Sequence, residues 1–295
     1  MAEQQLLANY DPTEADLYDF AVGRPLEEKI DRAIRLIQFY EKDALKLSED
    51  GFYLAFSGGK DSIVIKELCR MAGVKFDSWY NLTTLDPPEL VQFIKEHHTD
   101  VKWNRPEKPM LQMMSEDSSC KGPPTRLSRW CCEKYKEQGG NECMKIIGVR
   151  GPESQRRKAL WREFMPPAKQ YSRPNGLLCP IVYWTDDDVW TFIRSRNLPY
   201  CSLYDEGFSR LGCIGCPLGG PNAQRKEFAR WPKYERMWKR AFVKFWERWS
   251  GVPTLKGKRR WFEDFGSAQG LWDWWISGKA NDGEGRDCQQ IWMDY

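Results

Sequence analysis

The stretch Tyr53-Leu54-Ala55-Phe56-Ser57-Gly58-Gly59-Lys60-Asp61-Ser62 constrains this chain more than any other. An apolar run ends in two glycines, then a lysine, an aspartate and a serine, and Ile63 to Met71 reads as a helix. That order builds a phosphate cradle at a strand end. Strand Phe52–Phe56 delivers the loop, glycines without Cβ let backbone N–H groups close on an anion, and the helix offers its positive N-terminus. Ser57, Gly58, Gly59, Lys60, Asp61 and Ser62 are the candidate anion-binding residues. Lys60 balances phosphate charge, Ser57 and Ser62 donate hydrogen bonds, and Asp61 holds Mg²⁺ through its waters. The spacing is not that of a G-x-x-x-x-G-K loop.

Strands and helices alternate around the cradle. An amphipathic helix is expected over Pro25 to Leu47, a second strand over Val74–Tyr80, and a helix from Pro88 to His97, opened by prolines at its first turn. A third strand is expected near Val101–Trp103, with a short helix at Met110–Met114. Further on, the pattern predicts a helix over Arg126 to Gln138, strands at Cys143–Val149 and Leu177–Tyr183, and a helix capped at Thr185 with an acidic first turn. This is an α/β chain with a parallel twisted sheet flanked by helices, whose ligands sit beyond the C-terminal strand ends. That places the Thr83–Asp86 turn on the same rim as the loop, and makes Asp86 a further nucleotide-binding candidate. Residues 1–50 form a helical lead-in, 51–220 the nucleotide-binding part, and 221–295 a basic, Trp-rich helical extension.

The chain of 295 residues has no apolar run of about 18 residues, so no membrane span is expected. Its first residues lack a basic patch before an apolar core, which argues against a secretory signal and for the cytoplasm. Ten cysteines in that reducing setting point to metal or catalysis rather than disulfides. Cys213-Ile214-Gly215-Cys216-Pro217 is a C-x-x-C turn, and Cys131-Cys132 is an adjacent pair. Four thiolates suit either Zn²⁺ or a 4Fe–4S cluster. Cys69, Cys120, Cys143, Cys179 and Cys201 read as small buried hydrophobes; Cys288 is kept as a redox thiol. A third signal, Arg150 to Arg157, is a basic turn in which Arg150, Glu153, Ser154 and Arg157 could hold a phosphate or sulfate. From Pro221 on lie 15 of the 45 Lys and Arg, 10 of the 42 Asp and Glu, and nine of the 15 Trp. One long basic helix is expected over residues 224–249. Its lysines and arginines would meet a nucleic-acid partner and its aromatics stack on bases, or the aromatic stripe packs inward and the charges face water.

Ser57-Gly58-Gly59-Lys60-Asp61-Ser62 matches the SGGxDS pyrophosphate loop of the adenine-nucleotide alpha-hydrolase superfamily. With Arg129-Trp130-Cys131-Cys132, Gly148 to Ser154, Trp184 to Trp190 and Leu203 to Cys213, the chain resembles the phosphoadenosine phosphosulfate (PAPS) reductase family over roughly residues 50–220. In adenylylsulfate-reducing members a cysteine pair and a C-x-x-C hold a 4Fe–4S cluster near the nucleotide. The resemblance implies the same of Cys131, Cys132, Cys213 and Cys216 and tips the metal from zinc to iron–sulfur. Family reductases also use a C-terminal ECGxH cysteine. Here the tail reads Gly285-Arg286-Asp287-Cys288-Gln289-Gln290, which lacks the glycine and histidine and leaves Cys288 as the candidate nucleophile. Reductases tend to carry a degraded pyrophosphate loop, whereas this one is intact, like those of relatives that split ATP to AMP and pyrophosphate. The resemblance thus implies an ATP-dependent iron–sulfur sulfurtransferase with Lys60 and Asp61 as catalytic residues and a sulfur- or electron-donor protein as partner. Its rivals are a PAPS or adenylylsulfate reductase that forms sulfite, and a non-catalytic nucleotide- or nucleic-acid-binding module with structural zinc.

Overall fold

The computed structural model describes residues 14–118, 122–168, 175–254 and 257–279. Cys120 and Cys288 lie outside the described residues. Among the described residues the strands are β1 (Phe52–Ala55), β2 (Phe76–Asn81), β3 (Lys102–Asn104), β4 (Lys145–Ile146), β5 (Phe164–Met165) and β6 (Leu177–Leu178), in the sheet order β3-β2-β1-β4-β6-β5. β1 runs parallel to β2 and β4, and β4 to β6, while β5 pairs antiparallel with β6. The sheet is mostly parallel and flanked by helices, with an antiparallel edge strand that sequence patterning missed. Central β1 is apolar throughout and buried over Phe52 to Leu54, as expected for a strand covered on both faces.

The helices are α1 (Glu14–Val22), α2 (Leu26–Leu47), α3 (Lys60–Ala72), α4 (Pro88–His97), α5 (Met110–Glu116), α6 (Trp130–Tyr135), α7 (Gln155–Leu160), α8 (Asp186–Ser195), α9 (Gly220–Arg230), α10 (Pro232–Trp249) and α11 (Ala268–Ser277). Three expected elements are shorter than the pattern suggested. The helix of Arg126 to Gln138 is only α6, and the strands of Cys143–Val149 and Leu177–Tyr183 keep two residues each. The one long C-terminal helix is two. Trp231 sits at φ −125°, ψ 70° before Pro232, because a residue preceding proline is pushed out of the helical region. Among the described residues no helix is long and apolar enough to cross a membrane.

The chain packs as two compact units, each assembled from several stretches. The first takes the chain up to Tyr80, Phe93–Lys102 and Gly139–Glu206, and the second takes Asn81–Gln92, Trp103–Gln138 and the chain from Gly207 on. In the first unit α2 and α8 pack on α3, and Cys69, Cys179 and Cys201 are buried. In the second, α10 packs on α5 and α11. Its core is aromatic: Trp238 lies 4.8 Å from Trp275, Phe242 5.3 Å from Trp272, and Phe245 4.7 Å from Phe262. The aromatic stripe of the basic helices therefore builds a core rather than a stacking platform.

A buried polar pair braces α3. Lys66 reaches Asp100 at 2.6 Å and His98 Nδ1 at 3.3 Å, and the imidazole packs edge-on against Phe56 and Phe93. Nδ1 accepts from the ammonium, which leaves Nε2–H buried without a partner. Burial first, and then the charge of Lys66, hold His98 down at about 4. A depressed folded-state pKa adds stability that is complete above the unfolded value, about 6.5, and is lost as the pH falls toward 4. At about 1.4 kcal/mol per pH unit that loss reaches roughly 3 kcal/mol. Urea midpoints taken between pH 7.5 and 4.5 are expected to fall less in His98→Gln than in the wild type. Parallel acid limbs in the two proteins would refute it.

Candidate functional site

β1 delivers the chain into Ser57, and the backbone reverses at Gly58 with φ +72°, a conformation open to a residue without Cβ. Gly59 then caps α3 without a side chain, so the first N–H groups of a 13-residue helix face the loop. The hydroxyls stiffen it: Ser62 Oγ donates to Gly59 O at 2.8 Å, Ser57 Oγ accepts from Gly59 N–H at 3.3 Å, and the two oxygens are 3.3 Å apart. The Tyr204 phenol accepts the Lys60 N–H at 2.9 Å, and burial keeps that phenol well above its ordinary pKa.

Two buried cations close the cradle. Lys60 Nζ, on a side chain only 7% exposed, meets Asp186 Oδ1 at 2.9 Å and lies 5.7 and 5.5 Å from the ring centres of Trp190 and Tyr204. Arg150, 5% exposed, donates from Nε to Asp61 Oδ1 at 2.6 Å and from Nη2 to the same Asp186 Oδ1 at 2.9 Å, with Glu153 at 3.5 Å. Burial raises the Asp61 carboxyl above the usual carboxylate value against the pull of Arg150. Asp186 goes the other way: burial opposes its charge, but Lys60 and then Arg150 hold it below that value.

The first unit thus brings Ser57 to Ser62 together with Arg150 and Glu153. Arg157 pairs with Glu153 instead, and Ser154 Oγ accepts the Arg157 N–H at 3.2 Å as the cap of α7. Asp86 belongs to the second unit, where its Oδ2 accepts from Thr83 N–H and Thr83 Oγ1 at 2.7 and 2.8 Å. Sequence reasoning gave no site role to Asp186, Trp190 and Tyr204. One signal was available for Asp186. Thr185 needs only Asp188 for its capping box, at 2.7 and 3.1 Å, so two acids of the Asp186–Asp188 run were surplus to capping.

The cysteine turn in the second unit is pinned on every polar side. Gly215 N–H donates to Glu227 Oε2 at 2.6 Å, and Gly215 O accepts from Gln224 at 3.0 Å. Ile214 O accepts from Trp238 Nε1 at 3.0 Å, and Ile214 N–H donates to Leu85 O at 2.8 Å. Gly215 has φ +80°, and a Cβ there would stand 2.5 Å from Phe228 Cζ and 2.8 Å from Trp238 Nε1. Cys213 Sγ donates to Thr83 Oγ1 at 3.3 Å, and burial pushes its thiol up to about 11.

Cys131 and Cys132 lie in the first turn of α6. Their mutual hydrogen bond pulls Cys132 down to about 5, helped by Arg129, and pushes Cys131 up, together with burial and the charges of Cys132, Cys213 and Cys216. Half-buried Lys136 is raised above the usual lysine value by Cys213 first, then by Cys216, Asp86 and Cys132. Among the described residues no group of three or more His, Cys, Asp or Glu is gathered tightly enough to hold a metal ion as it stands. Along α10, Lys233, Arg236, Arg240 and Lys244 are exposed, whereas Trp238, Phe242 and Phe245 are buried.

Residues 51–218 match the family model of the phosphoadenosine phosphosulfate reductase domain. An uncharacterized protein of Methanocaldococcus jannaschii is 27% identical over 276 residues, 84% of this chain and 53% of that protein. The chain thus spans about half the length of that relative. The adenosine 5'-phosphosulfate reductase of Allochromatium vinosum is 24% identical over 201 residues, 62% of this chain and 74% of that one. The solved phosphoadenylyl-sulfate reductase of Candida auris, a phosphate complex, aligns with a TM-score of 0.43 at 14% identity, over 62% of this chain and 93% of that one. With more than half of its length inside the family model, this chain belongs to the phosphoadenosine phosphosulfate reductase domain family.

Proposed function

We propose that this chain is an ATP-dependent sulfurtransferase that forms AMP and pyrophosphate and carries an iron–sulfur cluster. The observation that carries the reading is the complete loop, with the glycine turn, both hydroxyls and two buried cations at the N-terminus of α3. The loop N–H groups and Lys60 hold the phosphates, and Asp61, whose Oδ1 already engages Arg150, would hold a Mg²⁺ that shields phosphate charge. An acceptor oxygen attacks the α-phosphorus, the bond to the pyrophosphate oxygen breaks, and its electron pair leaves with the pyrophosphate, whose growing charge Lys60 offsets. A sulfide brought by a donor protein then displaces AMP, which departs with the acceptor oxygen.

Cys131, Cys132, Cys213 and Cys216 would hold a 4Fe–4S cluster. Four soft sulfur donors beside the cations of Arg129 and Lys136 suit an anionic cluster. Bound there, it supplies a site for sulfide or electrons. The acceptor is a nucleic acid met through its phosphates, because Lys233, Arg236, Arg240 and Lys244 line the exposed side of α10 while Trp238, Phe242 and Phe245 are buried.

A second reading, a reductase that makes sulfite with Cys288 as nucleophile, draws on the adenosine 5'-phosphosulfate reductase among the relatives. One experiment separates the two. The chain is purified anaerobically, assayed for iron and sulfide, and incubated with ATP plus DNA or RNA, and separately with PAPS or adenylylsulfate. AMP and pyrophosphate from ATP, without sulfite, are the expected products. Sulfite that disappears in Cys288→Ser would favour the reductase, and an iron-free chain that leaves ATP intact would sink the proposal.

A further inference from the structure

The two cations of the cradle share one carboxylate. A single oxygen, Asp186 Oδ1, takes Lys60 Nζ and Arg150 Nη2, each at 2.9 Å. The cations are 7% and 5% exposed, and the aspartate is 56% exposed. Asp186 is dispensable to its own helix, since the cap of α8 is made by Thr185 and Asp188. A second acid, Asp61, holds the other edge of the Arg150 guanidinium at 2.6 Å. Glu153, 3.5 Å from Arg150 Nη2, is matched by Arg157, so the cradle is close to electrically balanced before any ligand arrives.

We propose that Asp186 is the charge-selecting residue of the site, an internal anion that an incoming phosphate must outcompete for Lys60 and Arg150. The inference rests on the nucleotide reading of the loop. Each ligand loses the Asp186 contacts on entry, a fixed penalty that does not depend on what replaces them. A polyphosphate recovers more than it displaces, because several oxyanions engage the loop N–H groups and both cations together. A phosphate or sulfate with one or two charges does not. The penalty lowers every ligand's affinity by the same factor, so a tightly held polyphosphate stays bound while a weakly held small oxyanion falls below occupancy. Its exposure gives it room to swing aside into water once displaced.

The test measures dissociation constants of ATP, pyrophosphate and inorganic phosphate for the full chain by calorimetry. The proteins are wild type, Asp186→Asn, Asp187→Asn and Lys60→Ala. Asp187 is the adjacent exposed acid of the same helix turn, so its variant changes net charge and helix dipole equally without touching the cations. Asp186→Asn is expected to bind pyrophosphate and inorganic phosphate at least about tenfold tighter, with gains of similar size for the two, while Asp187→Asn stays within about twofold of wild type. A purely structural role for Asp186 predicts weaker binding instead. Equal or weaker phosphate binding by Asp186→Asn, or an equal gain in Asp187→Asn, overturns the proposal even if the wild type binds ATP and Lys60→Ala does not. Failure of every protein to bind ATP or pyrophosphate overturns the nucleotide reading as well.

Discussion

Lys60→Met is expected to form AMP from ATP about 10²–10³-fold more slowly than the wild type while unfolding at nearly the same denaturant concentration. Methionine keeps an apolar stem against Trp190 and Tyr204, whose ring centres lie 5.7 and 5.5 Å from the ammonium. The ion pair lost is not left as a buried orphan: Asp186 still holds Arg150 at 2.9 Å and faces water. The missing charge is felt chiefly when pyrophosphate departs, because that is when negative charge accumulates at the loop. Quench-flow measurement of pyrophosphate release, paired with urea denaturation, tests both halves. Turnover within about tenfold of wild type would remove Lys60 from the catalytic machinery. Lys60→Ala is expected to be just as slow but less stable, since it also gives up the stem packing.

The second large effect belongs to Gly215. Gly215→Ala places a Cβ 2.5 Å from Phe228 and 2.8 Å from Trp238, at a backbone φ of +80°. Overpacking and left-handed strain together are expected to destabilise the chain by about 2–4 kcal/mol. Because both neighbours brace the turn between Cys213 and Cys216, iron bound per chain is expected to fall by half or more. Gly251→Ala separates the two causes: its φ is +74°, but among the described residues no atom lies within 4 Å of the added Cβ, so about 1 kcal/mol is expected there. Urea midpoints and iron assays on both variants decide the matter. Equal losses in the two would mean that crowding by Phe228 and Trp238 contributes nothing.

The parts of this molecule written locally were legible before its structure. The cradle is one continuous run in which glycine, hydroxyl and charge each have a single sensible use, and the Thr185 cap needs only its own helix. What escaped notice depends on distant chain segments. Asp186 looks like one more acid at a helix start, and only the packing of α8 on α3 turns it onto Lys60 and Arg150. Tyr204 reads as an ordinary aromatic until its phenol is seen on the Lys60 N–H. Expected strands of seven residues shrank to two, because apolar runs such as Leu177–Tyr183 continue into buried turns, where Leu177, Cys179 and Val182 form a core cluster. In the C-terminal region, Pro232 marked the break between α9 and α10 in plain view. Helical periodicity carried across it simply because Trp231 and Trp238 are buried on either side.

The indole of Trp238 has one more consequence. It donates to Ile214 O inside the cysteine turn at 3.0 Å and lies 4.8 Å from Trp275, which is in turn 5.4 Å from Trp272. Three coupled fluorophores therefore share excitation, and one of them touches the loop between Cys213 and Cys216. A coloured centre bound at those sulfurs would drain their emission, and its loss would restore it. With the proposed cluster bound, the second unit would carry its own optical gauge of occupancy, readable in ultraviolet light without substrate, label or turnover.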